Sequence, residues 1–127
     1  MPMDTPKYTI LLVDDDSDFL EVTQLMLMDE GYDVIPAING ENGVQKYREL
    51  KPDIVFLDIK MPGIDGYETF FRIKKIDSDA RVVFTSSYAL ENEKFKKTKE
   101  LNLCGLINKP AEFDEFEKMI QKFAKTH

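Results

Sequence analysis

The sequence IVFLDIKMPGIDG, residues 54–66, gives the clearest indication of the fold of this 127-residue chain. An apolar run of strand length ends in one acid, Asp58, and a turn containing Met61, Pro62 and Gly63 follows at once. Apolar runs bounded by turn residues are typical of buried strands. In an α/β sheet, the end of such a strand is where a reactive carboxylate would be held. The stretch therefore predicts a buried strand that presents Asp58 at its carboxyl end.

Four further apolar runs of strand length accompany this one, and segments of helix length separate them. The five predicted strands cover residues 8–13, 33–37, 53–57, 81–85 and 104–107. Strands that alternate with helices predict a parallel sheet that is covered on both faces. We therefore expect one α/β domain over residues 8–125, with short tails at residues 1–7 and 126–127.

The helical segments carry apolar residues at spacings of three or four, which predicts one buried face for each helix. The stripes are Phe19, Val22 and Met26; Val44, Tyr47 and Leu50; and Phe113, Phe116, Met119, Ile120 and Phe123. We also expect Met28 in the core or an interface, and Cys104 as a small buried residue. Asp16 and Asp65 are predicted helix caps, and Asp65 with Glu68 resembles a capping box.

Composition and charge exclude several classes of function. The net charge of −7 argues against a nucleic-acid surface, because neutralising phosphates requires clustered Lys and Arg. The single cysteine, Cys104, has no partner for an internal disulfide. No apolar stretch approaches the roughly 20 residues of a membrane-spanning helix, and residues 1–7 lack the apolar segment of a signal peptide. We therefore predict a cytoplasmic protein without a nucleic-acid or membrane partner.

Polar side chains also follow three other predicted strands. Asp14 and Asp15 come after the first strand, Ser86 after the fourth and Lys109 after the fifth. If the strands lie in the order 2-1-3-4-5, these residues and Asp58 meet where the strand order reverses. Three neighbouring carboxylates repel one another unless a cation lies between them or one of them stays protonated, and Mg²⁺ suits their oxygen ligands. With a lysine and a hydroxyl, this cluster has the parts of a phosphoryl-transfer site in which Asp58 is the nucleophile.

These motifs resemble the receiver domains of two-component response regulators, over about Tyr8 to Phe123. An acidic pair, D-x-x-M-P-G-x-D-G, a hydroxyl and Lys-Pro follow strands one, three, four and five in that order. The resemblance implies a flavodoxin-like (βα)5 three-layer sandwich with a five-stranded parallel sheet in the order 2-1-3-4-5. It also implies a signalling module that catalyses only its own phosphorylation and dephosphorylation.

The resemblance assigns roles to the acidic residues and to the loop after the third strand. It makes Asp58 the phosphoacceptor, Asp15 a direct Mg²⁺ ligand and Asp14 a ligand through water. The backbone carbonyl of Lys60 would complete the protein's share of the metal shell. Lys60 and Tyr88 would flank the path of hydrolytic water, so we expect their bulk and the Lys60 charge to slow dephosphorylation.

The resemblance also assigns the conserved hydroxyl and the conserved lysine. Ser86 is the expected hydroxyl, with Thr85 as the alternative if the fourth strand is shifted by one residue. Lys109 would bind a phosphoryl oxygen, and Pro110 suggests a cis Lys-Pro bond. Leu106 occupies the position at which many receivers carry a switching Tyr or Phe, so we expect a smaller or different conformational switch.

The resemblance implies partners, because the only histidine, His127, is the last residue and the phosphoryl group must come from outside. The donor would be a histidine kinase or a histidine phosphotransfer protein. A downstream protein would read the surface of the fourth helix, fifth strand and fifth helix, and the receiver would act alone or as a phosphorylation-dependent dimer. The lysines of the fourth helix, Lys94, Lys96, Lys97 and Lys99, are either a solvated face or a contact for an acidic partner.

Two alternatives remain open from the sequence. One is a degenerate receiver that works as a phosphorylation-independent binding module, which the substitution at Leu106 allows. The other is an aspartate-nucleophile phosphohydrolase, because Asp14 and Asp16 form an Asp-x-Asp pair after the first strand. Against the hydrolase, no acidic pair follows Lys109 on a strand, and the chain has no room for a cap domain.

Overall fold

The computed structural model describes residues 8–87 and 92–125, and in these ranges five strands alternate with five helices. The strands are β1 (Thr9–Val13), β2 (Asp33–Ala37), β3 (Ile54–Asp58), β4 (Val82–Ser86) and β5 (Gly105–Asn108). The helices are α1 (Ser17–Asp29), α2 (Gly40–Leu50), α3 (Gly66–Ile76), α4 (Glu93–Glu100) and α5 (Phe113–Phe123). All neighbouring strands are parallel and lie in the order β2-β1-β3-β4-β5, which confirms the predicted flavodoxin-like sheet.

The two faces of the sheet belong to two separate layers of the core. Successive side chains of a strand point to opposite faces, so Val55 and Leu57 pack with α2 and α3. Ile54 and Phe56 pack on the other face with α1 and α5. Because both faces are covered, every residue of β3 is buried, which explains the continuous apolar run in its sequence.

The outer strand β2 is blocked at one position by a proline. Pro36 lies opposite Leu12 of β1 and has no N–H to donate. Its carbonyl accepts a hydrogen bond from Nζ of Lys46 at 2.6 Å. Near its carboxyl end, β2 therefore offers no donor at Pro36, and the Pro36 carbonyl already accepts a hydrogen bond.

The predicted helix caps form as expected, with one exception. The carboxylate of Asp16 accepts hydrogen bonds from the N–H groups of Asp18 and Phe19, and that of Asp65 accepts one from the N–H of Glu68. The carboxylate of Glu68 instead binds Nε of Arg72 at 2.8 Å, so only the Asp65 half of the expected capping box forms.

The predicted buried stripe of α1 is partly correct, because Phe19 and Met26 are half-buried against the layer of α1 and α5 but Val22 is exposed. Leu20, Thr23 and Leu27 are its buried residues, whereas Val22 is 65% exposed and Met28 is 50% exposed. The predicted stripe through Val22 and the observed stripe through Leu27 both have helical spacing, so the sequence does not distinguish them. Contact with the sheet selects the face that includes Leu27.

Two further burial predictions need correction. Leu50 is 54% exposed because it is the last residue of α2, although Val44 and Tyr47 of the same stripe are buried. Cys104 is half-buried rather than fully buried, at the edge of the layer formed by α1 and α5. In the last helix, Phe116 is among the fully buried residues, as its stripe predicts.

Helix α4 is short and polar. Its N-cap is Asn92, whose side chain accepts a hydrogen bond from the N–H of Phe95, and Thr98 is its buried residue. Phe95 is half-buried against the layer of α2 and α3. With so few buried side chains, α4 is weakly packed on the rest of the domain. Within the described ranges, no helix has the length and apolar character needed to span a lipid bilayer.

Candidate functional site

Three carboxylates meet at the carboxyl ends of β1 and β3. Asp14 follows β1 directly, and its N–H donates to the carbonyl of Ala37 at the end of β2. Asp58 is the last residue of β3. Asp14, Asp15 and Asp58 each offer a carboxylate oxygen, and these three atoms lie within 4.8 Å of one another. Asp14 and Asp58 are buried and Asp15 is exposed, so the cluster opens to solvent on one side.

Burial and neighbouring charge change the acidity of Asp58. Its pKa is raised to about 7, first by burial and then by the negative charge of Asp14, with a smaller contribution from Asp15. The ammonium of Lys109 opposes this increase in the pKa. The three carboxylates therefore carry more negative charge than Lys109 offsets.

Lys109 enters the cluster from the residue after β5. Its Nζ lies 2.5 Å from Oδ2 of Asp14 and 3.6 Å from Oδ1 of Asp58. Its backbone N–H donates to the carbonyl of Ser86 at 2.7 Å, which fixes it beside the end of β4. The peptide bond to Pro110 is cis, as the resemblance implied. The ammonium of Lys109 therefore pairs mainly with Asp14 and is close to Asp58.

The two candidate hydroxyls, Thr85 and Ser86, are both buried at the end of β4. Thr85 lies opposite Asp58 in the strand register, and alternation puts it on the sheet face that carries Val83. Ser86 falls on the other face, which carries Phe84 and packs against α3. Leu106 packs in this same layer, so Ser86 and Leu106 share a face of the sheet.

A close backbone contact fixes the loop between β3 and α3. A Cβ on Gly66 would lie 2.4 Å from the carbonyl oxygen of Asp58, so a side chain is not tolerated there without movement. The N–H of Gly66 donates to the carbonyl of Ile59 at 2.7 Å. Gly63 has a φ of 79°, in the left-handed region that favours glycine. Lys60 lies in this loop with an exposed side chain, and Tyr88 falls outside the described residues.

The residues present fit a Mg²⁺ ion. The three clustered carboxylates provide hard oxygen ligands. The pKa of Asp58 is raised first by burial and then by repulsion from Asp14 and Asp15, and a divalent cation would relieve that repulsion. When bound, Mg²⁺ neutralises carboxylate charge and the charge of phosphoryl oxygens.

The family model described as the response regulator receiver domain matches residues 10–121. The chain belongs to this family. It is 33% identical to the sporulation initiation phosphotransferase F of Bacillus subtilis over 114 residues, which cover 90% of this chain and 91% of the relative. Receiver domains are signalling modules rather than enzymes that turn over a separate substrate.

Two solved structures of similar receivers match most of the chain. The response regulator TrrA of Thermotoga maritima, in complex with Mg²⁺ and beryllofluoride, has a TM-score of 0.80 at 31% identity and covers 91% of this chain and 98% of its own. The CheX–CheY complex of Borrelia burgdorferi with beryllofluoride and Mg²⁺ has a TM-score of 0.81 at 30% identity, covering 93% and 90%.

One residue that contacts the candidate site was given no site role by the sequence. Phe19 was predicted only as part of a buried helical stripe, yet its ring centroid lies 4.3 Å from Nζ of Lys109. The available signal was an aromatic side chain in the first turn of the helix that follows the acidic pair. Sequence alone gave no reason to connect it with a lysine 90 residues away.

Proposed function

We propose that this receiver accepts a phosphoryl group on Asp58 from a phosphohistidine of a partner histidine kinase or histidine phosphotransfer protein. The observation that carries the proposal is the buried position of Asp58 beside Asp14, Asp15 and Lys109. An Oδ atom of Asp58 attacks phosphorus, and the P–N bond breaks. The imidazole keeps the bonding pair and leaves as a neutral ring when its other nitrogen carries a proton.

The neighbouring residues have separate parts in this transfer. Asp14, Asp15 and Asp58, with the backbone carbonyl of Lys60, would hold Mg²⁺. The ammonium of Lys109, 3.6 Å from Asp58, would bind an oxygen of the transferred group and offset its charge. To do so it must weaken its pairing with Asp14, whose carboxylate is then free for the metal.

Ser86 is the proposed hydroxyl donor to the phosphoryl group. Its carbonyl is tied to the N–H of Lys109, so a movement of β4 toward Asp58 would be passed directly to the residue after β5. Ser86 and Leu106 share a sheet face, so Leu106 would repack as Ser86 moves. A leucine has no ring or hydroxyl to expose, so we expect a smaller rearrangement than an aromatic residue would give.

The output surface that we propose is the α4-β5-α5 face. Phosphorylation would favour a second conformation of these elements, and a protein that binds this conformation more tightly would shift the population toward it. The CheY of Borrelia burgdorferi forms a complex with CheX, which supports a protein as the reader. We propose the cytoplasm as the compartment, and a monomer or a phosphorylation-dependent dimer as the active form.

The lifetime of the phosphorylated state would be set at Lys60 and Tyr88. Each lies two residues beyond a proposed site residue, Asp58 and Ser86 respectively. Their bulk, and the charge of Lys60, would hinder the approach of water to the phosphoryl group. A Tyr88→Ala variant is therefore expected to lose its phosphoryl group faster than the native chain. An unchanged rate of loss, measured by intact mass over time, would contradict this part of the proposal.

The test of the proposed function is the intact mass after incubation with acetyl phosphate and Mg²⁺. We expect one phosphoryl adduct on the native chain, and none on Asp58→Asn or after removal of Mg²⁺ by EDTA. An Asp29→Asn variant, changed at an exposed acid at the end of α1, should behave as the native chain. The absence of an adduct would overturn the proposal in favour of a phosphorylation-independent binding module. Turnover of a small phosphate ester would instead support a hydrolase.

A further inference from the structure

We propose that Phe19 is a positioning residue for Lys109, because the face of its ring holds the lysine ammonium beside Asp14 and Asp58. This inference rests on the proposed function, since its consequence is the rate at which Asp58 accepts a phosphoryl group. None of the motifs that relate this chain to other receivers includes Phe19.

The ammonium of Lys109 has contacts on three sides. Oδ2 of Asp14 lies at 2.5 Å, Oδ1 of Asp58 at 3.6 Å, and the ring centroid of Phe19 at 4.3 Å. The side chain of Lys109 is only 14% exposed, so water competes weakly for the ammonium. A cation within about 6 Å of a ring centroid is attracted to the face of the ring, and more strongly when it is desolvated.

Two hydrogen bonds, linked through Asp16, position the backbone of Phe19. Oδ1 of Asp14 accepts a hydrogen bond from the N–H of Asp16 at 2.9 Å. The carboxylate of Asp16 in turn accepts one from the N–H of Phe19 at 3.2 Å. Oδ2 of Asp14 thus contacts Lys109 directly. Oδ1 of Asp14 accepts from Asp16, which caps the start of α1. The lysine and the ring are therefore positioned by the same carboxylate.

An aromatic row holds the ring of Phe19 from its other side. Its centroid lies 6.4 Å from that of Phe116 in α5, and Phe116 meets Phe56 edge-on at 5.0 Å. Phe56 is two residues before Asp58 in β3. The row thus runs from the strand that carries the phosphoacceptor, through α5, to the lysine. Fully buried rings at Phe56 and Phe116 give it a rigid base.

This arrangement addresses a weakness of lysine as a phosphate ligand. Its ammonium is a point charge on a flexible four-carbon stem, so it must be held to act repeatedly in one place. If the ammonium leaves Asp14 for the new phosphoryl oxygen, it loses an ion pair before it gains another. The ring of Phe19 attracts the ammonium throughout and needs no counter-charge. We therefore expect the ring to speed phosphorylation without binding the phosphoryl group itself.

The test compares Phe19→Leu with Phe19→Tyr in the full chain, with acetyl phosphate and Mg²⁺. In the reaction followed, Oδ of Asp58 forms a bond to phosphorus, and acetate leaves with the electrons of the broken P–O bond. Leucine keeps apolar volume without a π face, so we expect a rate of adduct formation lower by about threefold to tenfold. Tyrosine keeps the π face and should restore the rate to within about twofold.

A matched control uses another cation over another ring. Nζ of Lys122 lies 5.2 Å from the ring centroid of Phe123, at the end of α5. Phe123→Leu should leave the phosphorylation rate unchanged. A second readout is the NMR shift of the Lys109 ε-methylene group in the metal-free protein. Shielding by the ring should be present in the native chain and Phe19→Tyr, and lost in Phe19→Leu.

The possible outcomes separate this inference from the proposed function. Equal rates in Phe19→Leu and the native chain would overturn the role of Phe19 alone, as would an ε-methylene shift that does not respond to Phe19→Leu. A lower phosphorylation rate in Phe19→Leu that Phe19→Tyr does not restore would also overturn the role of Phe19, because the effect would then be one of packing. No adduct on the native chain would overturn the proposed function, and the role of Phe19 would be rejected with it.

Discussion

In the metal-free protein, replacing Asp58 with Asn should stabilise the fold. The side chain of Asp58 is only about 10% exposed, and its pKa is raised to about 7 by burial and by Asp14. Against an ordinary pKa of about 4, with about 1.4 kcal/mol for each pKa unit, its ionisation costs the folded state about 4 kcal/mol. Asparagine carries no charge and avoids this cost, so we expect a gain of about 2–4 kcal/mol after imperfect packing of the amide.

The sign of the effect depends on pH in a defined way. Below about pH 4 the carboxyl is protonated in the folded and unfolded chain, so ionisation costs nothing. As pH rises toward 7, the unfolded chain releases its proton first, and the native protein loses stability. Above about pH 7 the folded chain is ionised as well and the cost is complete. The free energy of unfolding of the Asn variant should therefore exceed that of the native chain by the full amount, about 2–4 kcal/mol, at pH 8 and by little at pH 4.

Urea unfolding followed by far-UV circular dichroism, with EDTA present, measures this difference. The control is Asp29→Asn, an exposed acid at the end of α1, which should change the free energy of unfolding by less than about 1 kcal/mol. Added Mg²⁺ should stabilise the native chain more than Asp58→Asn, because the variant lacks one proposed ligand. A variant no more stable than the native chain at pH 8, or a difference that is the same at pH 4 and 8, would refute the electrostatic reasoning.

Three further predictions follow from individual contacts. Gly66→Ala should lower the free energy of unfolding by about 1–3 kcal/mol, because its Cβ would collide with the backbone at the end of β3; an unchanged urea midpoint would contradict the tight contact. Tyr47→Phe should cost about 1–2 kcal/mol, because it leaves Asp77 without a 2.8 Å hydrogen bond, and thermal unfolding checks this. Lys109→Ala should tighten Mg²⁺ binding several-fold in calorimetry, because it removes a cation paired with Asp14 and already close to the metal site; weaker binding would argue against that competition.

The order of elements could be read from the sequence because strands buried on both faces are continuous apolar runs. Residues 54–57 form such a run, and the predicted bounds of the five strands are within one residue of those observed. The cluster of acidic residues at the carboxyl ends of β1 and β3 could also be predicted from the sequence. Parallel strands bring their carboxyl ends to one side, so acids that follow β1 and β3 must be neighbours once the strand order is known.

The details that the sequence did not provide depend on tertiary contacts. The stripes through Val22 and Leu27 both have helical spacing, and only contact with the sheet decides which is buried. The pairing of Lys109 with Asp14 joins residues 95 apart in the chain. The geometry of this pair depends on the ends of two strands and on the hydrogen bond that the N–H of Lys109 donates to β4, none of which has a local sequence signal.

The proline in β2 limits how copies of this receiver can associate. An outer strand normally presents a row of unpaired N–H and C=O groups, on which a second chain can add a strand. At Pro36 the donor is missing, and Lys46 occupies the acceptor. Sheet extension across two molecules is thus disfavoured along this border. A signalling dimer of this chain would therefore form away from β2, as through the α4-β5-α5 face, where a change of conformation at the site can still strengthen or weaken it.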